Sequence, residues 1–164
     1  MDIEAQRGPE TGWTMAHTFS QILMHVVFST SGRRNLIAEA FRPRLYEYMG
    51  GVAKNEFGAA FRIGGTANHV HALIGVRTNV SVADAVAKLK SHSSGWLHKT
   101  FPAAEEFAWQ GGYAAFSVSM SQRPEVIEYI DNQMTHHHCR TFEEEFRALL
   151  DAHGIEYDSA HFLD

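Results

Sequence analysis

Short runs of β-forming residues alternate along this chain with longer segments of helical periodicity, and this order restricts the possible folds more than any other feature. Residues 19–29 are rich in β-branched and aromatic side chains and predict a strand. Residues 37–57 carry apolar side chains at helical spacing and predict a helix. Residues 59–65 and 69–77 are two further strand-like runs, and the short segment between them favours a hairpin.

The second half of the chain continues this alternation. Ser81 is a suitable N-cap, and Asp84 completes a pattern close to a capping box, so a helix is predicted to follow. Apolar positions recur at helical spacing from there as far as Trp96. Residues 107–110 and 113–119 then predict two short strands on either side of a Gly-Gly pair.

Two helices are predicted at the C-terminal end of the chain. Residues 123–138 place apolar side chains on one stripe. Residues 141–153 begin with the capping-box pair Thr141 and Glu144. The complete order, β-α-β-β-α-β-β-α-α, predicts an α+β fold of ferredoxin-like (RNA-recognition-like) type, with helices packed mainly on one face of an antiparallel sheet.

Length and composition favour one globular domain. The 164 residues are 45% apolar and 20% charged, which is typical of a globular protein rather than a disordered one. Residues 1–14 hold Gly, Pro and acidic side chains without periodicity, and we expect a disordered or loosely attached extension. Residues 15–164 are then expected to form a single domain with an acidic C-terminal helix.

The sequence favours a cytoplasmic protein. Cys139 is the one cysteine, which excludes an internal disulfide framework and a multi-cysteine zinc site and agrees with a reducing compartment. No apolar run approaches the roughly 18 residues that a membrane-spanning helix needs, so no membrane partner is expected. The acidic N-terminal segment also lacks the apolar region of a signal peptide.

The distribution of charge permits a nucleic-acid partner although the net charge is −5. The first 14 residues carry −2 and residues 141–164 carry −6, which leaves +3 for the part between them. The acidic side chains are therefore concentrated at the two ends, and the middle of the chain is mildly basic. A strong nucleic-acid binder usually has a more concentrated basic patch, so this pattern permits the function without indicating it.

The clearest candidate for chemistry is the pair His69 and His71. Residues two apart in a strand point to the same face, so both imidazoles can bind one divalent ion. The intervening and following apolar residues at 70, 72, 74 and 76 would then bury the opposite face. Two ligands do not complete a metal site, and two partly buried histidines bonded to the backbone remain the alternative.

Tyr129 and Gln133 are the second candidate pair. They lie one helical turn apart on the shoulder of the apolar stripe of the predicted helix. A polar tip at this boundary can reach a cleft beside the core. The alternative is an amphipathic tyrosine at the core edge, which is the more common situation.

The other histidines favour structural roles. The tract His136-His137-His138-Cys139 suggests metal binding, but consecutive helical residues face different directions and cannot converge on one ion. Imidazolium groups also suit the C-terminal end of a helix. His25, in the middle of an apolar strand, is expected to be a core or sheet histidine with its hydrogen bonds satisfied.

A set of motifs resembles the single-tyrosine HUH transposases of the insertion sequence 200/605 type. One His-hydrophobic-His motif is a weak signal, but five ordered motifs from about Met15 onward are a strong one. They are SQILMHVVFS (20–29), NHVH (68–71), SSGW (93–96), WQGGYAAFSVS (109–119) and YIDNQ (129–133).

The resemblance implies a metal-dependent DNA strand transferase. It implies that His69, His71 and Gln133 hold Mg²⁺ or Mn²⁺ and that Tyr129 is the nucleophile that forms a 5′-phosphotyrosine. The implied substrate is single-stranded DNA with hairpins at the ends of a mobile element. The implied assembly is a homodimer with active sites shared between subunits. The apolar strand at 19–28 is interpreted as an edge that such a dimer would cover.

Two alternatives stay open beside transposition. A domesticated relative that acts on host repetitive hairpins would use the same catalytic residues. A non-catalytic module that binds single-stranded nucleic acid would need none of them. The candidate phosphate-binding side chains are Arg33, Arg34, Arg62, Lys88 and Lys90.

Overall fold

A computed structural model describes residues 19–136, 140–160 and 162. The expectations for residues 1–14, including a domain that starts at Met15, lie outside the described residues. The same holds for His137, His138 and Cys139 of the histidine tract.

Within the described residues, four strands and five α-helices follow one another in nearly the predicted order. The strands are β1 (Leu23–Ser29), β2 (Gly58–Gly65), β3 (His69–Val76) and β4 (Ala114–Val118). The helices are α1 (Arg42–Glu56), α2 (Val82–Thr100), α3 (Arg123–Asp131), α4 (Gln133–His136) and α5 (Phe142–Ala152).

The strands form one antiparallel sheet in the order β2-β3-β1-β4. This arrangement confirms the predicted α+β fold with an antiparallel sheet. The interpretation of β1 as an edge strand is wrong, because β1 pairs with β3 on one side and with β4 on the other. The physical argument for covering β1 in a dimer therefore does not apply to this chain.

The strand alternation divides the sheet into an apolar face and a face that carries histidines. Val26, Phe28, Val70, Ala72 and Ile74 belong to the core that the sheet forms with α1 and α2, and each is at most 2% exposed. Each of the larger side chains contributes about 1.5–3 kcal/mol by its burial. The predicted burial of the β3 face opposite the two histidines is confirmed.

The opposite face of the sheet is covered by the C-terminal helices. Leu23 and Leu73 pack with Ile130 of α3, whereas Val27 and Phe116 pack with apolar residues of α5. The strand residues that carry polar chemistry lie on this face, between two helices. The fold therefore presents the histidines to α3, α4 and α5 instead of to open solvent.

Two predicted elements differ in the structure. Residues 107–110 form no strand, because Trp109 makes only a single bridge to Thr30 and its ring nitrogen donates to Ser93 of α2 at 3.0 Å. The helix predicted at 123–138 ends at Asp131, and Asn132 has non-helical dihedral angles. Both predicted caps are confirmed, since Ser81 accepts from the Asp84 amide and Thr141 forms the capping box.

Close contact between β2 and α3 holds the helix in position. A Cβ atom on Gly64 would lie 2.8 Å from Ile130 Cγ2 and 2.9 Å from the Ile130 carbonyl oxygen. Ile130 follows Tyr129 directly, so the absence of a side chain at Gly64 sets the height of this tyrosine above the sheet.

Gly64→Ala is therefore expected to displace α3 and to lower the free energy of unfolding by about 1–3 kcal/mol. Urea denaturation measures this loss. Gly50→Ala is a matched control, because Gly50 lies within α1 with nothing within 4 Å of the added atom, and alanine there should stabilise by up to about 1 kcal/mol. A Gly64→Ala variant as stable as the wild type would contradict the contact.

Candidate active site

Strand β3 places His69 and His71 on the same face of the sheet, as the spacing predicted. Both side chains are fully buried, and their ring centroids are 5.1 Å apart. Their Nε2 atoms are directed toward the space between the sheet and the C-terminal helices, where both approach Glu145.

The hairpin before β3 fixes the orientation of His69. Its Nδ1 lies 2.7 Å from Asn68 Oδ1 and 3.0 Å from Thr66 Oγ1. The Asn68 amide nitrogen donates to the Arg33 carbonyl, so the oxygen of this amide faces the histidine. Because an amide oxygen only accepts hydrogen bonds, the neutral ring carries its proton on Nδ1. The lone pair of Nε2 therefore points into the site.

His25 of β1 holds the second histidine. Its Nε2 lies 2.9 Å from His71 Nδ1, and it is buried as the sequence predicted. Burial, together with the adjacent His71 ring, lowers the pKa of His25 to about 3, so His25 is neutral near pH 7. His25 is therefore a buried residue that also contacts the candidate ligand His71.

The break after α3 brings Gln133 into the same space. Gln133 is 1% exposed, and its Oε1 lies 3.3 Å from His69 Nε2. Its amide nitrogen donates to Glu145 Oε1 at 2.8 Å. The structure thus brings Gln133 together with the histidine pair.

Glu145 of α5 is a member of the cluster that the sequence analysis missed. Its carboxylate oxygens lie 3.6 Å from His69 Nε2 and 3.6 Å from His71 Nε2. A signal was present, because Glu145 lies three residues after Phe142 and four before Leu149, on the apolar stripe of its helix. A carboxylate on a stripe that packs against a sheet is almost never fully buried unless it is paired.

Glu145 is ionised in this environment. Burial alone raises the pKa of its carboxyl group, but the adjacent His71 ring and hydrogen bonds from Tyr129 and Gln133 outweigh that effect. The pKa of Glu145 therefore lies well below its usual range. A buried negative charge at the centre of the cluster attracts a cation.

Tyr129 of α3 completes the group. Its hydroxyl donates a hydrogen bond to Glu145 Oε1, and its ring meets the rings of His71 and His25 edge-on at 5.6 and 5.9 Å. Burial and the bond to Glu145 both raise the pKa of the phenol, so it is protonated near neutral pH.

The donor set fits a divalent metal ion. His71 Nε2 is buried and makes no hydrogen bond within 3.5 Å. Ligand atoms of His69, His71 and Glu145 all lie within 4.8 Å of one another. Donors bound ~2.1 Å from one ion are roughly 3–3.5 Å apart, which is close to the separations of 3.3 and 3.6 Å found here.

Arg34, Arg62, Lys88 and Lys90, four of the predicted phosphate contacts, have acceptors within the chain. These contacts are Arg34–Glu106 at 3.1 Å, Arg62–Asp131 at 3.2 Å, Lys88–Glu56 at 2.9 Å, and Lys90 with the carbonyls of Gln110 and Gly112. Arg33, another predicted phosphate contact, has a left-handed backbone conformation with φ 56°. Their roles in binding DNA stay predictions.

Among the described helices, none has the length and apolar character needed to cross a membrane.

Comparisons with known proteins point to one family. The family model described as "Transposase IS200 like" matches residues 18–133, which include both histidines, Tyr129 and Gln133. No curated protein matches the sequence at a significant level.

Two solved structures share the fold. One is a crystal structure of a protein assigned as a transposase of Deinococcus radiodurans R1, with 19% identity and a TM-score of 0.57, covering 79% of this chain and 98% of that one. The other is a REP-associated tyrosine transposase bound to a REP hairpin, with 10% identity and a TM-score of 0.55, covering 74% of this chain and 72% of that one. Since the family model spans most of the chain, this protein belongs to the IS200-like transposase family.

Proposed function

We propose that this protein cleaves and rejoins single-stranded DNA, with Tyr129 as the nucleophile beside a divalent ion held by His69, His71 and Gln133. One observation carries the proposal: the Tyr129 hydroxyl and the Nε2 atoms of both histidines converge on the carboxylate of Glu145. A nucleophile and a cation site this close together can act on the same phosphodiester group.

Tyr129 carries out the covalent step. Its oxygen attacks the phosphorus atom, the bond to the 3′ oxygen breaks, and the products are a 5′-phosphotyrosine and a free 3′-hydroxyl group. The phenol loses its proton in this step, and the departing 3′ oxygen gains one. The new linkage keeps the free energy of a phosphodiester, so another 3′-hydroxyl can displace Tyr129 and rejoin the DNA without a nucleotide cofactor.

Two imidazole nitrogens and one amide oxygen supply the proposed metal ligands. When bound, the ion neutralises charge on the phosphoryl oxygens and polarises the scissile group. Mg²⁺ and Mn²⁺ both suit such a site, and imidazole favours Mn²⁺ because it is softer than the oxygen ligands that Mg²⁺ usually takes. The buried His71 Nε2, which makes no hydrogen bond within 3.5 Å, supports this assignment.

Hairpin-bearing single strands are the proposed substrate. One of the two similar structures holds a REP hairpin, and unpaired bases beside a hairpin leave a flexible backbone that can enter a cleft. A domesticated relative that acts on host repetitive hairpins is the second candidate, and paired hairpins bounding the gene would favour transposition over it. The four clustered groups argue against a non-catalytic binding module, which has no need of them.

The proposal is tested by incubating the protein with hairpin-bearing single-stranded oligonucleotides and Mg²⁺ or Mn²⁺. A covalent adduct that survives denaturing electrophoresis is expected, and the fully duplex form of the same oligonucleotide should give much less. Release of a 5′-phosphate without any adduct would indicate hydrolysis and would contradict the mechanism.

We further propose that the site works within one chain, although the resemblance implies sharing between subunits. Tyr129 contacts the ring of His71 of its own chain, so a mixture of His69→Ala and Tyr129→Phe chains is expected to form no adduct. Co-refolding followed by the electrophoretic assay measures this. An adduct on the His69→Ala chain would instead support a shared site in a homodimer, which itself stays a prediction.

A further inference from the structure

Glu145 occupies a position that the proposed ligand set of two histidines and one glutamine does not explain. It is 6% exposed, and burial of a carboxylate is costly unless charge or hydrogen bonds compensate. Tyr129 and Gln133 donate to one of its oxygens, whereas the other oxygen faces His69 Nε2 at 3.6 Å. This second oxygen is directed at the face of the cluster where a cation would bind.

In its neutral form, His69 presents the lone pair of Nε2 to two acceptor oxygens. Asn68 fixes the proton of the neutral ring on the opposite nitrogen, so Nε2 presents a lone pair. Gln133 Oε1 lies 3.3 Å from it and Glu145 Oε2 lies 3.6 Å from it, and both of these oxygens are acceptors. In that form the three acceptors repel one another, and either a proton on Nε2 or a metal ion among them relieves the repulsion.

The same carboxylate belongs to the docking face of α5. Phe142, three residues earlier, stacks against the His69 ring with centroids 4.5 Å apart, and Leu150 packs with Phe116 of β4. Glu145 therefore lies between apolar contacts on the surface by which α5 attaches to the sheet. Neutralising its charge would favour attachment of the whole helix.

We propose that Glu145 is a fourth, anionic ligand of the ion at His69, His71 and Gln133, and that binding of the ion fastens α5 onto the sheet. This inference rests on the proposed metal site. It changes the ligand set from wholly neutral to one with a single negative charge, and it makes the C-terminal helix part of the active site. The helix then reports occupancy of the site.

Mn²⁺ affinity, measured by electron paramagnetic resonance titration without DNA, tests the ligand role. Glu145→Gln keeps the size of the side chain and an oxygen that accepts from Tyr129. It is expected to weaken Mn²⁺ binding at least about tenfold. Even the loss of a residue that only hydrogen-bonds to a metal ligand can lower metal affinity by this factor. Glu143→Gln, an exposed change in the first turn of the same helix, should stay within about twofold of the wild type.

Hydrogen exchange of the amides of α5 tests the fastening. Mn²⁺ should slow their exchange in the wild-type protein and in Glu143→Gln, and should leave it unchanged in Glu145→Gln. Circular dichroism of each variant verifies that the chain is folded. If the role of Glu145 were purely structural, Glu145→Gln would change the exchange rates of α5 by the same factor with and without Mn²⁺.

The outcomes separate this inference from the proposed function. If the wild-type protein binds no Mn²⁺, or if His71→Ala binds it as tightly as the wild type, the proposed metal site itself is wrong. If His71→Ala loses binding but Glu145→Gln keeps wild-type affinity, only the inference about Glu145 is overturned. Tighter binding by Glu145→Gln would also overturn it, because the carboxylate would then oppose the ion.

Discussion

Tyr129→Phe is expected to reduce formation of the covalent protein–DNA adduct by at least about a thousandfold, as expected when a nucleophile that acts as part of a unit is removed. The phenylalanine ring keeps the contacts with His71 and His25 but has no oxygen to attack phosphorus. Loss of the hydrogen bond to Glu145 should lower stability by about 1–3 kcal/mol, since that bond joins a buried charged acceptor. Denaturing electrophoresis measures the adduct, and a gel-shift assay should show that DNA binding persists.

Tyr113→Phe is the matched control for this experiment. Tyr113 is 41% exposed and precedes β4, so its replacement should leave adduct formation unchanged. If the Tyr129→Phe protein still formed the adduct at the wild-type rate, Tyr129 would not be the nucleophile.

His71→Ala is expected to lose cleavage by a similar factor and to lose Mn²⁺ binding. The variant removes a ligand and leaves His25 Nε2 without its partner, which should cost about 1–3 kcal/mol of stability. The chain should still fold, because the opposite face of β3 packs into the core through Val70, Ala72 and Ile74. The same loss of cleavage is expected for His69→Ala and for the wild-type protein in excess chelator.

His92→Ala provides the comparison, since His92 is an exposed histidine of α2. It should retain both metal binding and cleavage. Full cleavage by the wild-type protein in excess chelator would contradict the metal requirement, whatever the behaviour of the variants.

The face on which the histidines lie could be predicted because it depends on local geometry. A strand has a period of two, so His69 and His71 share a face wherever β3 lies in the sheet. Tyr129 and Gln133 could be paired because they are separated by one helical turn, although α3 ends before Gln133. Local spacing along one strand and along one helical turn thus identified these two pairs of site residues.

Glu145 could not be placed from local spacing, since its approach to β3 depends on how α5 docks on the sheet. One indication of its position was present in the sequence, because Glu145 is a charged residue on the apolar stripe of α5. The same limit applies to β1, whose neighbours are set by pairing with distant segments. Its apolar residues on both faces were nevertheless typical of a central strand and not of an edge.

Trp109 illustrates how a tertiary contact overrides a local preference. Residues 107–110 combine aromatic side chains with a Gly-Gly turn and favour a strand. In the structure the Trp109 ring packs edge-on against Phe28 and bonds to Ser93, so the segment serves as a cover over the core. Propensity alone does not distinguish these two uses of an aromatic residue.

Peptide mapping of the adduct by mass spectrometry tests the central claim most directly. The wild-type protein is incubated with hairpin-bearing single-stranded DNA and Mn²⁺, digested with protease and nuclease, and searched for a nucleotide-modified peptide. The proposed mechanism predicts a 5′-phosphonucleotide attached to Tyr129, with none formed when the metal is chelated. A modified residue other than Tyr129, or an equal yield of adduct in chelator, would contradict it.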